Sequence, residues 1–384
     1  MRSKLMIFFL LLLTLTFAVF TAGKIIFLLT YEFAIFILLN YLYLRYVKNS
    51  LDLYIIAHEE KFTVGEEAEY EINLINNSFL PVFNVEIRDY STVSGKFGLM
   101  EGYLASFKNK KFKKKFTLPR RGIYFVGPFE LKIQDPFGIF TRVKFYDFKI
   151  KLKVFPKVRD IKPSLKAAQQ LGIVEAKNRA FEDYTNMLQL RKYVPGDSIK
   201  RIHWKVSAKK GELYAKEFQI SAMSEVYLLW DLNKGHFLDD VDGKLDEECA
   251  ECMVSVAKYC LLAGIPVNLL DYPSGQVQVR GRTIRDFGAF MEASIKNFPV
   301  YDKGILDFEG LDVVIPKDAT LVLITPYLDS FVLNKLHELQ DTGVEVLIYY
   351  VNDYGKIKDK IDKIRVGMVF WRHKNGEKVK GSFV

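Results

Sequence analysis

His203 stands beside Trp204, with Glu182 and Asp183 upstream in the chain. An imidazole within reach of carboxyl groups is the material of acid–base hydrolysis, because it exchanges protons near neutral pH. Against that reading, the chain holds only five histidines and no serine or cysteine nucleophile motif. It also lacks a phosphate-binding glycine loop and a zinc-protease helix. A structural reading is simpler: Arg191, Asp197 and Arg201 form a buried ionic network, and Trp204 packs against a sheet. Cys249-x-x-Cys252 has the spacing of a zinc or redox pair. With Cys260 these thiols share one face of one expected helix, and no second ligand pair occurs, so they read as core. The densest charge is the run Lys108, Lys110, Lys111, Lys113, Lys114 and Lys115. It reads either as an edge strand protected by lysines or as a contact to anionic lipid headgroups. No nucleic-acid reader motif accompanies it, so nucleic acid is not expected as a partner.

The elements that must carry these groups follow from composition. The chain has 384 residues, 55 Lys+Arg against 46 Asp+Glu, and a net charge of +9. Its mean hydropathy of +0.04 is high for so charged a chain. The offset lies at the N-terminus, where Leu5–Gly23 carries no charge and Ile25–Leu44 carries only Glu32. Each stretch is long enough to cross a hydrocarbon core of ~30 Å as a helix. Residues 1–48 therefore read as a transmembrane hairpin turning at Gly23-Lys24. A signal peptide is the rival, but Val19–Ala22 lacks the small residue that cleavage needs at −3, and a second apolar run follows at once. Arg2 and Lys4 before the first stretch, with Arg45 and Lys48 after the second, put both ends in the cytoplasm. Three cysteines fit a reducing compartment. Glu32, about two turns into the second helix, is costly there and reads as a functional group or, more simply, as a contact to the partner helix or a protonated carboxyl near the outer face.

Residues 51–158 show short alternating runs with Gly, Pro and Asn turns, the pattern of an antiparallel, immunoglobulin-like β-sandwich. Residues 159–224 form a linking segment. There the spacing predicts a helix over 198–209, with Asp197 as its N-cap and Gly211 as its stop. From 225 to 384, strands at 225–231, 265–270, 321–325 and 344–351 alternate with helices at 246–263, 283–297 and 330–341. That alternation predicts a doubly wound parallel sheet with sites at the strand C-terminal ends.

Two passages carry a family resemblance. Tyr193-x-Pro195-Gly196-Asp197, followed by Arg201-x-His203-Trp204-Lys205-x-Ser207-Ala208, resembles the signature of bacterial membrane proteins grouped as domain of unknown function 58. Arg121-Gly122-x-Tyr124, Gly127-Pro128 and Asp135-Pro136-Phe137-Gly138 are similar to that family's upstream segment. The resemblance implies an inner-membrane protein whose C-terminal domain is von Willebrand A-like. Family members accompany AAA+ ATPases of the MoxR type, which implies that kind of partner. It also implies where a metal would sit, after the first strand, in an Asp-x-Ser-x-Ser motif. Here the text is Asp231-Leu232-Asn233-Lys234-Gly235: the Asp is kept, both hydroxyls are gone and a lysine is added. Asp231 and Asn233, with Thr325 and Asp271 from later strands, are the candidate Mg²⁺ ligands, in a degraded site. The expectation is a membrane-anchored, non-enzymatic scaffold or adaptor without a cofactor.

Overall fold

The computed structural model describes residues 9, 12–17, 19, 24–93, 97–161, 187–193, 202–218, 225–302, 315–317, 319–352 and 367–371. The chain divides into two compact units, Met1–Phe155 and Pro156–Val384.

In the first unit, α1 (Lys24–Ser50) is the one described helix long and apolar enough to cross a membrane. Its 27 residues reach about 40 Å at 1.5 Å per residue. Ile25, Leu28, Leu29, Leu38 and Leu39 on it are exposed. Such a helix fits a membrane anchor or a signal sequence. Its buried polar groups are satisfied within the helix: Thr30 Oγ1 donates to the Ile26 carbonyl (2.8 Å) and Asn40 Nδ2 to that of Phe36 (2.9 Å). Glu32 is exposed. Residues 12–17 of the preceding apolar stretch are also helical. Leu13, Phe17, Ile26, Leu29 and Phe33, with Thr14, Thr16 and Thr30, line an apolar cavity of about 690 Å³. The turn expected at Gly23 lies outside the described residues.

The far end of α1 is part of a β core. Leu44 and Val47 are fully buried among strand residues, and β1 (Leu51–Ala57) begins with no linker. Nine more strands follow: β2 (Lys61–Thr63), β3 (Glu67–Asn76), β4 (Asn84–Asp89), β5 (Phe97–Glu101), β6 (Asn109–Thr117), β7 (Gly122–Val126), β8 (Phe129–Gln134), β9 (Thr141–Tyr146) and β10 (Ile150–Phe155). They form sheets in the orders β1-β3-β6, β2-β10-β7 and β5-β4-β8-β9. One pairing departs from the antiparallel expectation: β2 runs parallel to β10, joining residues 61–63 to 153–155.

The lysine run is β6, at the edge of its sheet. Its odd-numbered lysines face outward against a ladder of glutamates on β3. Lys111 meets Glu71 (2.9 Å), Lys113 meets Glu69 (3.1 Å) and Lys115 meets Glu67 (3.5 Å). Lys114 points the other way, as strand alternation requires. Its ammonium lies 3.1 Å from Asp89, a carboxylate buried to 1% exposure. Tyr70 and Ser91 also donate to Asp89. Lys114 is thus engaged inside the domain.

The second unit opens with residues that dock on its core. The Arg159 guanidinium meets Glu251 (2.8 Å), its amide donates to Ser255 (2.9 Å), and Ile161 joins the core cluster. A hairpin of β11 (Met187–Lys192) and β12 (Tyr214–Phe218) encloses α2 (Trp204–Lys210). The expected helix over 198–209 is corrected here. Ile202 bridges to Ala215, and the His203 amide donates to the Tyr214 carbonyl (2.8 Å), so extended pairing holds the chain until the helix starts at Trp204. Asp197, its expected cap, lies outside the described residues.

The six-stranded sheet runs β15-β14-β13-β16-β17-β18, from β13 (Val226–Trp230), β14 (Val267–Leu270), β15 (Val277–Gly281), β16 (Thr320–Thr325), β17 (Glu345–Tyr350) and β18 (Gly367–Phe370). All pairs are parallel except β14 with β15. Every residue of β13 and β16 is buried, the mark of strands covered on both faces. The helices are α3 (Lys244–Leu262), α4 (Phe287–Ser294) and α5 (Ser330–Asp341). The helix expected at 283–297 is a short 3₁₀ turn at Ile284–Asp286 leading into α4. Cys249, Cys252 and Cys260 are all buried in α3. Burial pushes the Cys252 thiol well above its ordinary value and that of Cys260 up to about 12, as befits core residues.

Two predictions follow from the lysine strand. Lys114→Ala leaves the Asp89 carboxylate buried without its cation and lowers stability by about 3–5 kcal/mol in denaturant unfolding. Lys113→Ala leaves the unfolding midpoint close to that of the parent, because its ammonium meets Glu69 from the solvent side. The second concerns acid. Hydrogen bonding to Lys111 holds the Glu71 carboxyl below the usual carboxylate range, and Arg88, then Lys132, does the same for Glu86. Depressed carboxyls stabilise the fold fully above their unfolded value of about 4.3, and that contribution is lost as pH falls through the folded value. Thermal melting from pH 6 to 3 should show a decline beginning below about 4.5, smaller in Lys111→Gln.

Candidate functional site

In a sheet of this order, β14 and β16 flank β13, and the connections leave β13 in opposite directions. The crevice at their C-terminal ends is where open α/β sheets bind ligands. Asp231 follows β13 there and Thr325 ends β16. Between Asp231 and His236 the chain makes one 3₁₀ turn, Lys234–Phe237, capped by Asn233 Oδ1 accepting from the Gly235 amide (2.8 Å). That turn brings the His236 ring back onto its starting point. Nδ1 lies 2.6 Å from Asp231 Oδ2, and since a carboxylate only accepts, the ring nitrogen donates.

Asp231 is 2% exposed, and both its oxygens are engaged. Oδ1 accepts from the Asn233 amide (3.0 Å) and from the Tyr272 hydroxyl (3.4 Å). Oδ2 takes His236 and the Thr325 hydroxyl, the latter also at 2.6 Å. Thr325 Oγ1 in turn accepts from the Tyr327 amide (3.1 Å). Two aromatic stacks frame the cluster: His236 on Tyr327 (4.6 Å between centroids) and Tyr272 on Tyr301 (5.3 Å).

These residues do not fit a divalent cation. Magnesium needs near-octahedral oxygens, but four protein donors occupy the Asp231 carboxylate and the Asn233 oxygen is spent on its own turn. The imidazole of His236 stands against the carboxylate where a cation would have to bind. Lys234, in the same turn, pairs with Asp302 (2.7 Å). Asp271, the fourth candidate, holds a separate turn through Ser274 (2.6 Å). Of the expected ligands, then, Asp231 and Thr325 are brought together and Asn233 and Asp271 are directed elsewhere. His236, Tyr272, Tyr301 and Tyr327 were not anticipated. The available signal was Asn233-Lys234-Gly235, a turn sequence that returns the chain on itself immediately before a histidine.

The signature residues have structural tasks where they are described. His203 Nδ1 accepts from the Val206 amide (3.3 Å) and caps α2. Ser207 Oγ accepts from the Tyr214 amide (2.9 Å) and ties α2 to β12. Trp204 does not pack against a sheet as expected: its position at the start of α2 leaves it 63% exposed. Arg191 and Tyr193 lie on and just after β11. Glu182, Asp183, Pro195, Gly196 and Arg201 lie outside the described residues.

Residues 189–261 match the model of a family described as a protein of unknown function, DUF58. The match runs from β11 through the Asp231–His236 turn to the end of α3. A stretch of 146 residues is 24% identical to the uncharacterized protein YeaD of Bacillus subtilis (strain 168), covering 38% of this chain and 36% of that protein. The chain thus spans about a third of the length of that curated relative. Both findings support kinship with the DUF58 family. Among solved structures, the CARDB domain of a Pyrococcus furiosus protein matches at TM-score 0.22 and 17% identity, over 27% of this chain and 86% of that one. The bacterial hydrophobin BslA matches at TM-score 0.21 and 14% identity, over 28% and 97%.

The cluster predicts a graded mutational response. Thr325→Val removes the hydroxyl that bonds Asp231 and the Tyr327 amide and should cost about 1–3 kcal/mol of unfolding free energy. Asp231→Ala orphans Tyr272, Thr325 and His236 together and should cost more than Thr325→Val. The double variant should fall short of the sum, because the partners share one carboxylate.

Proposed function

We propose that this protein is a membrane-anchored, non-enzymatic scaffold or adaptor whose α/β unit is a von Willebrand A-like domain presenting a surface to a protein partner. The observation that carries the reading is the closed Asp231 cluster. The crevice such a sheet offers to ligands is filled by Thr325, His236 and Tyr272, which favours recognition by an outer surface over metal chemistry. The sheet order, with its single antiparallel edge pair β14–β15, supports the von Willebrand A-like assignment. Exposed Trp204 on α2, within the DUF58-matching residues and beside Lys205, is of the kind that dominates binding energy when a partner covers it.

In this reading the anchor is a hairpin of two spans, with both ends and the body in the cytoplasm. The flanking cations support that orientation, and the cavity shared by the two apolar stretches supports their packing together. The partner is an AAA+ ATPase of the MoxR type, and the shared task is assembly of membrane or envelope complexes; this rests on the family resemblance.

Crosslinking in native membranes with and without ATP tests the reading. The parent chain should capture a MoxR-type ATPase. Trp204→Ala should lower that capture about tenfold, as loss of a contact worth somewhat over 1 kcal/mol requires, without changing the melting temperature. Absence of the ATPase from the crosslinked species counts against the adaptor role. Millimolar Mg²⁺ should leave the melting temperature unchanged; a rise would revive metal-dependent binding through Asp231, Asn233 and Thr325.

A further inference from the structure

The Asp135-Pro136-Phe137-Gly138 turn between β8 and β9 is built to display one side chain. Asp135 is fully buried, and its carboxylate accepts from the amides of Phe140 (2.6 Å) and Phe137 (3.3 Å). Its carbonyl accepts from the Gly138 amide (3.0 Å), with Gly138 at φ +69, where a residue with a Cβ is disfavoured. Pro136 pre-sets the turn. The result holds Phe137 outward at 64% exposure, an arrangement that costs burial of a large aromatic unless something apolar covers it.

The neighbour of Phe137 identifies that cover. Its ring lies 4.8 Å from that of Phe36, midway along α1. Farther along α1, Tyr41 packs on Phe140 (6.4 Å) and lies under the Arg142 guanidinium (5.0 Å). Taking Arg142 as the polar limit, Phe137 stands five residues of helix deeper, about 7.5 Å. That is the depth to which apolar groups of surface-bound elements enter the headgroup–acyl boundary, about 5–10 Å.

A second pair of loops gathers nearer the end of α1. Tyr43 donates to the Pro81 carbonyl (2.6 Å), and Tyr46 packs on Phe79 (5.2 Å). The Phe79 loop is tied to the next by Val82–Leu104 pairing and by Ser106 donating to the Phe79 carbonyl (2.7 Å). Phe79 and Phe107 are 62% and 70% exposed, and Phe107 is held at φ +55, a conformation unusual for a bulky residue.

We propose that the lipid bilayer is the partner of this surface: the Asp135–Gly138 turn inserts Phe137 into the acyl boundary beside α1, and Phe79 and Phe107 lie in the headgroup layer. The β unit is then seated in the membrane face rather than hung beneath it. The inference rests on α1 being a membrane span and adds a second, independent contact. The lysine run spans a range of distances from this surface: Lys110 is opposite Leu74, close to the α1–β1 junction, whereas Lys115 is remote from it. Lys115 is opposite Glu69, seven residues along β3 from Asn76, which pairs with Leu51 at the α1–β1 junction, and so about 23 Å away.

The buried native cysteines allow site-specific labelling of the full chain. Phe137→Cys, Leu38→Cys and Glu59→Cys would each carry an NBD fluorophore in phosphatidylcholine–phosphatidylglycerol vesicles containing doxyl-labelled lipid. Glu59 lies beyond β1, about 23 Å from the end of α1. Labels at 137 and 38 should show blue-shifted emission and lose intensity to the doxyl lipid, and the label at 59 should do neither. Lipid contact at 38 with an aqueous signal at 137 overturns the proposal alone. Aqueous signals at both overturn the membrane span as well. A label at 137 shielded from water but untouched by doxyl lipid also overturns it, in favour of a protein cover.

Discussion

Ser50 and Leu51 are consecutive residues, the last of a helix and the first of a strand, and nothing between them can flex. The peptide bond at that junction constrains the whole first unit. Leu44 and Val47 are already core residues of the β fold while still in α1, and the Tyr43 hydroxyl bonds to a loop of the same fold. Whatever medium surrounds the apolar half of the helix, the β unit is held against it at a fixed height. A tether would leave the two free to sample many relative positions; here each side-chain contact along α1 fixes how close the sheets stand to the helix.

The second unit depends on a different interaction, the buried carboxylate of Asp231. A charge at 2% exposure is tolerated only when its lone pairs are filled. The Asn233 amide and His236 from its own turn, Tyr272 after β14 and Thr325 at the end of β16 fill them. The carboxylate therefore pins the ends of β13, β14 and β16 to one another. The position that such sheets commonly devote to ligands serves here to hold the sheet together.

Much of the second unit could be read from the chain because its strands are uninterrupted apolar runs. Val226–Trp230 and Thr320–Thr325 have no other stable place than a sheet covered on both faces. Ser330–Asp341 was legible through its amphipathic spacing. Edges were harder: β15 alternates and pairs antiparallel, and β18 is only four residues long, so neither carries a strong pattern. The start of α2 was misplaced because Asp197 and Ser198 look like a cap, whereas long-range pairing of Ile202 with Ala215 decides the backbone there. The site was half legible. Asp231 and Thr325 stand at strand ends, where sequence order alone brings them together. His236 and Tyr272 meet them only through the path of a turn and the register of β14, which no local pattern encodes.

The parallel pairing of β2 with β10 has a consequence for assembly. It joins residues 61–63 to residues 153–155, nearly the full length of the β unit, and β3 must wait for β6 before its glutamates find their lysines. During synthesis α1 is complete long before either closure is possible. The helix is thus synthesised while the strands that will pack on its last turns are still unmade. Both closures of the β unit therefore come after the helix on which its strands pack has been made.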